Sequence, residues 1–235
     1  MQEYGDIGGV IKAKTGCKVS LEEPDYLFHV EKGYSGYFLA LSRTGYKQFS
    51  WKTRRPRARK FFLPSAIYPK LARCLVNLSR AKEGDLFLDP FCGTGSMLIE
   101  SSMMGMRTVG MDLTKWIARG ALLNLKGFSL DYDSIIRADS TKTLPIGEID
   151  AVSTDVPYGR ASSTKGKETG EIITGFLGAL SDSMISSSRR KKYCVIMHPS
   201  HVPLEYDRNS FHLEEQHLLY VHRNLTRAIS VLGRL

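Results

Sequence analysis

Apolar positions recur along this chain in two spacings, and each predicts a different element. Within residues 1–60, the runs Tyr26-Leu27-Phe28-His29-Val30 and Tyr37-Phe38-Leu39-Ala40-Leu41, parted by Gly33 and Gly36, predict short β segments joined by turns. The stretch Pro56 to Pro64 reads as a connector. Ile67, Leu71, Leu75 and Leu78 then recur at helical spacing, with Ser65 as a capping residue and Pro69 in or near the first turn. From Asp85 the pattern alternates. Strands are expected at Leu86-Phe87-Leu88, Arg107 to Met111, Ser134 to Arg137, Ile149 to Val152 and Tyr193 to Met197. Helices are expected through Met97 to Met103, from about Thr114 to Lys126, and from Ile172 to Ile185. Near-continuous apolar strands separated by amphipathic helices imply a mostly parallel, doubly wound α/β sheet covered on both faces. Leu218 to Val221 and Ala228 to Leu232 have no helix between them and predict a C-terminal antiparallel hairpin. Arg160 to Gly170 is polar and rich in Gly, Ser and Thr, the composition of a loop.

Composition narrows the classes of function. No run of about 18 apolar residues is present, so no transmembrane helix is expected. The first residues, Met1 to Asp6, lack the basic start and apolar stretch of a signal peptide. Cys17, Cys74, Cys92 and Cys194 form no CxxC pair, which argues against a disulfide framework or a metal cluster and fits a reducing cytoplasm.

Charge adds more. Lys and Arg number 33 against 24 Asp and Glu, a net charge of +9 that suggests a polyanionic partner. Between Arg43 and Lys60 there are only basic charges, interleaved with Tyr46, Phe49 and Trp51 and followed by Phe61 and Phe62. A solvated face usually mixes signs, so Arg54, Arg55, Arg57, Arg59 and Lys60, with Arg160 after the later motif, are candidate RNA contacts. The cluster Arg189 to Lys192 reads as a helix end.

The candidate chemistry lies at strand ends. Asp89-Pro90-Phe91-Cys92-Gly93-Thr94-Gly95 closes the first strand of the alternating region, where doubly wound sheets place ligands. Its glycines allow close backbone approach, yet it is neither a Walker loop nor GxGxxG. Gly110-Met111-Asp112 puts a carboxylate where ribose hydroxyls could donate, and Ala138-Asp139-Ser140 offers another within reach of an adenine amine. Thr154-Asp155-Val156-Pro157-Tyr158-Gly159-Arg160 is the most specific signal. An exocyclic base amine is a poor nucleophile. It is helped when a carboxylate and a backbone carbonyl accept its N–H groups while an aromatic ring stacks on the base. Pro157 holds Val156 extended and so directs the nearby carbonyls.

Together these residues resemble the amino-group class of S-adenosylmethionine-dependent methyltransferases, and within it the archaeal tRNA guanine-10 N2-methyltransferases that carry a THUMP domain. Asp89–Ser96 resembles the cofactor motif and Asp155–Gly159 the Asp-Pro-Pro-Tyr motif, with Val156 in place of a proline. Phe62 to Arg73, Asn77-Leu78 and His222 to Arg227 extend the likeness, which runs from about residue 18 to the end. The resemblance implies a seven-stranded Rossmann-like methyltransferase sheet over residues 61–235. It also implies a small N-terminal α/β lobe, residues 1–60, similar to the distal half of a THUMP domain. S-adenosylmethionine would lie across Asp89, Phe91, Cys92, Gly93, Thr94, Gly95, Asp112, Leu113, Asp139 and Ser140. The base would enter between Asp155 and Tyr158 beside Pro157. The partners implied are tRNA and a small activating protein. Adjacent N1–H and N2–H donors suit guanine to one carboxylate, although Asp also serves adenine. The alternatives are a DNA adenine or cytosine N-methyltransferase, for which no segment supplies a target-recognition insert, and a non-catalytic RNA-binding subunit that kept the fold. Cys92 as a covalent nucleophile is disfavoured, because it lies in the cofactor loop.

Overall fold

The structure, a computed structural model, describes residues 2–20, 22, 24–34, 36–43, 51–142, 144–158, 168–184 and 190–235, without the side chains of residues 2–6 and 43. Contacts divide the chain into two units, Met1–Ser50 and Trp51–Leu235. The first unit holds helix α1 (Gln2–Thr15) and an antiparallel hairpin of β1 (Tyr26–Gly33) and β2 (Gly36–Arg43), in register from Tyr26 opposite Arg43 to Gly33 opposite Gly36. Both strands match the sequence expectation. The helix corrects the reading from apolar spacing, which gave β segments here, and agrees with the α/β lobe that the resemblance implies. Gly8 and Gly9 in its middle weaken the helical signal, while Gly16, at φ 68°, stops it with its N–H on Lys12 O.

The second unit begins with a 3-10 turn at Pro56–Ala58 and helix α2 (Pro69–Leu78). The helix starts three residues later than Ser65 capping would allow. Tyr68 is extended, at φ −68° and ψ 143°, because Pro69 follows, and Pro69 is itself the first helical residue. The strands are β3 (Leu86–Asp89), β4 (Arg107–Asp112), β5 (Ser134–Arg137), β6 (Ala151–Asp155), β7 (Tyr193–Pro199), β8 (Phe211–His222) and β9 (Leu225–Arg234). Helices α3 (Ser96–Ser102), α4 (Lys115–Gly127) and α5 (Thr169–Ser183) lie between them. One seven-stranded sheet has the order β5-β4-β3-β6-β7-β9-β8. It is parallel from β5 to β7 and antiparallel in the final hairpin. This is the doubly wound α/β sheet that the sequence implies. Strand β8 is longer than its apolar stretch because edge residues such as Glu214, Gln216 and His217 need not be buried.

Strand alternation fills both faces. Phe87, Ala151, Val195 and Val231 pack with Ala72, Leu75 and Val76 of α2, while Leu88, Val152, Ile196 and Leu232 pack with Ile173, Phe176 and Leu180 of α5. Each valine, leucine, isoleucine or phenylalanine among them, fully buried, contributes about 1.5–3 kcal/mol. The consequence for function is positional: the carboxyl ends of β5, β4, β3 and β6 lie side by side, and each ends at or just before an aspartate.

Candidate active site

A cleft of about 480 Å³ opens over those carboxyl ends. It is lined by Asp89, Phe91, Cys92, Gly93 and Thr94 after β3, Asp112 and Leu113 after β4, Asp139 and Ser140 after β5, and Asp155 to Tyr158 after β6. Gly95 is outside this lining, while Arg160 lies outside the described residues, as does the expected loop as far as Lys167. The segment Leu63 to Ile67 forms a further wall, and Arg227 of β9 reaches in from the hairpin.

The loop after β3 is shaped by two left-handed glycines, Gly93 at φ 52° and Gly95 at φ 80°. A Cβ on Gly95 would also sit 3.4 Å from that of Ala121 in α4. Gly93 N donates to Asp112 Oδ2 at 3.2 Å, and Thr114 N donates to Asp112 Oδ1 at 2.8 Å, so the β4 carboxylate is fixed facing the cleft. Burial raises the Asp112 carboxyl above its ordinary value. Asp139 Oδ1 accepts from Thr141 N and Oγ1. Two residues of the cofactor motif turn inward. The Ser140 hydroxyl donates to Pro90 O at 2.6 Å, and Thr94 Oγ1 accepts from Arg59, so both side chains hold the loop from behind. Burial likewise pushes the Cys92 thiol up, keeping it neutral.

Asp89 is 1% exposed. Its Oδ1 accepts from Phe91 N at 3.2 Å and from Thr154 Oγ1 at 2.7 Å, which couples the cofactor loop to the residue just before Asp155. Its Oδ2 is buried with no partner among the described residues, and burial pushes this carboxyl to about 7. A buried carboxylate oxygen at a cleft wall fits a ligand ammonium.

Asp155 ends β6. Val156 N donates to Met197 O at 3.1 Å, anchoring the turn to β7, and Pro157 keeps Val156 extended. Asp155 Oδ2 lies 3.8 Å from Arg227 Nη1, while Oδ1 is buried and has no partner among the described residues. Burial pushes Asp155 to about 7, against a smaller lowering by Arg227. The Arg227 guanidinium sits 5.3 Å from the centre of the Tyr158 ring, and burial raises the Tyr158 phenol to about 12.

The basic segment divides. Arg55, Arg57 and Lys60 are exposed, as expected for RNA contacts. Arg54 and Arg59 are 4% and 7% exposed, and this corrects their assignment as surface cations. Arg54 Nε donates to Glu100 Oε1 at 2.9 Å. Arg59 donates to Ser96 Oγ at 2.7 Å, Thr94 Oγ1 at 3.3 Å and Ile67 O at 3.2 Å, and burial lowers it to about 10. Asn124 of α4 completes the clamp: its Oδ1 accepts from Phe61 N, and its Nδ2 donates to Phe61 O and Thr94 O. Asn124 shapes the site without any local motif to announce it, whereas Thr154 opens the Asp155 motif and Arg227 lies in the tail His222–Arg227 that carries part of the resemblance.

The RMKL-like methyltransferase domain matches residues 56–229. The tRNA (guanine(10)-N2)-dimethyltransferase of Methanothermobacter thermautotrophicus is 36% identical over 97% of this chain and 67% of its own length. That of Methanocaldococcus jannaschii is 34% identical over 98% of this chain and 64% of its own. The chain thus spans about two thirds of the length of these relatives. Among solved structures, TrmN from Thermus thermophilus superposes with a TM-score of 0.61 at 20% identity, covering 97% of this chain and 66% of its own. A methyltransferase from Streptococcus mutans in complex with SAH superposes at 0.52 with 12% identity, over 71% of this chain and 97% of its own, a likeness of fold alone.

Proposed function

Because this chain belongs to the RMKL-like methyltransferase family, we propose that it methylates the exocyclic N2 of a guanine in tRNA, at position 10, using S-adenosylmethionine. The observation that carries the reading is the buried Asp155 Oδ1, without a partner among the described residues, sharing one cleft with Asp89, Asp112 and Asp139. The donor set suits the cofactor. Asp112 would accept from ribose hydroxyls, Asp139 and Ser140 would border the adenine, and Asp89 Oδ2 would receive the amino-acid ammonium. When bound, S-adenosylmethionine supplies an electrophilic methyl group on a sulfonium.

The chain's own residues prepare the nucleophile. Asp155 Oδ1 accepts an N–H of the guanine amine, and a neighbouring carbonyl directed by Pro157 accepts the other, so the nitrogen lone pair is aimed at the methyl group. The sulfonium would supply the methyl group and leave as a neutral thioether, while the positive charge growing on nitrogen lies beside Asp155, which would take the released proton. The Tyr158 ring holds the base in line, and alignment supplies much of the acceleration. A protein activator and action in the cytoplasm accord with this reading.

The test is mass spectrometry of nucleosides from tRNA incubated with the chain and methyl-labelled cofactor. N2-methylguanosine carrying the label supports the reading, while label in another base, or in none, overturns it. Asp112→Ala is expected to weaken cofactor binding about 10–100-fold, the worth of a hydrogen bond to a charged group. Isothermal calorimetry showing unchanged affinity would remove the ribose assignment. For tRNA, replacing Arg55, Arg57 and Lys60 by alanine should flatten the salt dependence of binding by about two to three units, at about 0.9 per lost contact. An unchanged slope would place the RNA elsewhere.

A further inference from the structure

The geometry points to Arg227 as the residue that reads the guanine O6, an inference that rests on the function proposed above. Among the described residues lining the cleft, Arg227 is the single cation. Register puts it there: in the antiparallel pairing of β9 with β7, Arg227 lies opposite Pro199, and β7 in turn pairs Met197 with Asp155 of β6. The C-terminal hairpin thereby delivers a guanidinium beside the catalytic carboxylate. Arg227 Nη1 stands 3.8 Å from Asp155 Oδ2 and 3.8 Å from Met197 Sδ, a sulfur and therefore a weak acceptor.

Two buried polar atoms at this point have no partner among the described residues, the acceptor Asp155 Oδ1 and the donor Arg227 Nε. Leaving either unpaired in the interior costs free energy that a ligand of matching polarity would recover. On its Watson–Crick edge guanine presents N2–H and N1–H as adjacent donors and O6 as the acceptor next to them. One carboxylate takes the two donors, and a cation a few ångströms along the same edge meets O6. The Tyr158 ring, 5.3 Å from the guanidinium, closes the cluster from the side on which the base stacks. Arg227 thus contributes to specificity, and Asp155 remains the group that accepts from the reacting amine. Adenine places an amine where guanine has O6, and this amine would face the guanidinium donor to donor.

The test is a cycle of enzyme and substrate changes. Arg227→Gln and the unaltered chain are each assayed on synthetic tRNA carrying guanine or 6-thioguanine at the target position. 6-Thioguanine keeps the N1–H and N2 amine and replaces O6 by sulfur, a weak acceptor. On guanine, Arg227→Gln should lower kcat/KM about 10–100-fold, the range for a charge-assisted hydrogen bond. On 6-thioguanine the unaltered chain should already be slow, and Arg227→Gln should lower it by no more than about threefold, because the partner of Arg227 is already lost. Equal losses on both substrates would overturn the inference and leave Arg227 as a support for Asp155. Absence of transfer to guanine by the unaltered chain would instead overturn the functional reading beneath it, and the inference with it. Unchanged cofactor affinity by calorimetry establishes that the variant is folded. If Arg227→Gln fails that control, Arg227→Lys keeps the charge but loses the fork and takes its place, with a smaller loss expected on guanine alone.

Discussion

Asp155→Asn is expected to lower methyl transfer by on the order of 100–1,000-fold while leaving cofactor affinity nearly unchanged. Asparagine preserves the volume but points a donor at a substrate N–H and cannot take the proton released as the N–C bond forms. The affinity should hold because the carboxylates proposed to hold the cofactor are those of Asp89, Asp112 and Asp139, while Asp155 neighbours Tyr158 and Arg227. The pH dependence follows with a definite sign. Burial pushes Asp155 up to about 7 in the folded chain, so the accepting, ionised form predominates only above that pH. At saturating cofactor and tRNA, kcat should rise with pH through about 7 and fall about tenfold per unit below it. The Asp155→Asn variant should lose this limb. Near-normal turnover in the variant, or a wild-type profile flat between pH 6 and 8, would remove Asp155 from the chemistry.

The carboxylates of this site are legible in the sequence for a physical reason. Asp89, Asp112 and Asp155 each close an apolar run that reads as a buried strand, Asp139 follows just after another, and the parallel order of those strands forces their ends together. Local pattern is enough there. It fails where a partner is remote in sequence. Arg54 and Arg59 stand in a run of like charges with no acid nearby, the signature of a surface patch. Their counter-charge is Glu100 on α3, 46 residues beyond Arg54, and only the packed structure brings the two together. The same blindness covers Asn124, which ties Phe61 and Thr94 to α4, and the unpaired donor of Arg227, which depends on β9 lying between β7 and β8. Helix α1 was hidden by weak amphipathicity and three interior glycines, although Lys12, Lys14 and Gly16 form a recognisable stop signal.

Glu100→Gln is expected to destabilise the second unit by about 3–5 kcal/mol, the cost of removing one partner from a buried ion pair. Glu100 is 1% exposed, and its two oxygens serve two guanidinium groups: Oε1 accepts from Arg54 Nε at 2.9 Å, and Oε2 accepts from Arg73 Nε at 2.9 Å and Arg54 Nη2 at 3.3 Å. Arginine does not shed its charge readily, so removing the carboxylate leaves cations in the interior. The loss should also reach the cofactor loop. Arg59 is stabilised by the charge of Glu100, donates its Nε–H to Arg54 O at 3.0 Å, and holds Thr94 and Ser96. Urea denaturation should therefore show a lower midpoint, and cofactor should restore less stability to Glu100→Gln than to the unaltered chain, because the loop it binds is looser. Adding Arg54→Met and Arg73→Met to Glu100→Gln should recover much of the loss, since apolar groups of similar volume leave no charge unpaired. Should Glu100→Gln unfold within about 1 kcal/mol of the unaltered chain, the ion cluster would not be what fastens the basic segment to the sheet, and the clamp would rest on Asn124 and on the half-buried Phe61 against Gly120 of α4.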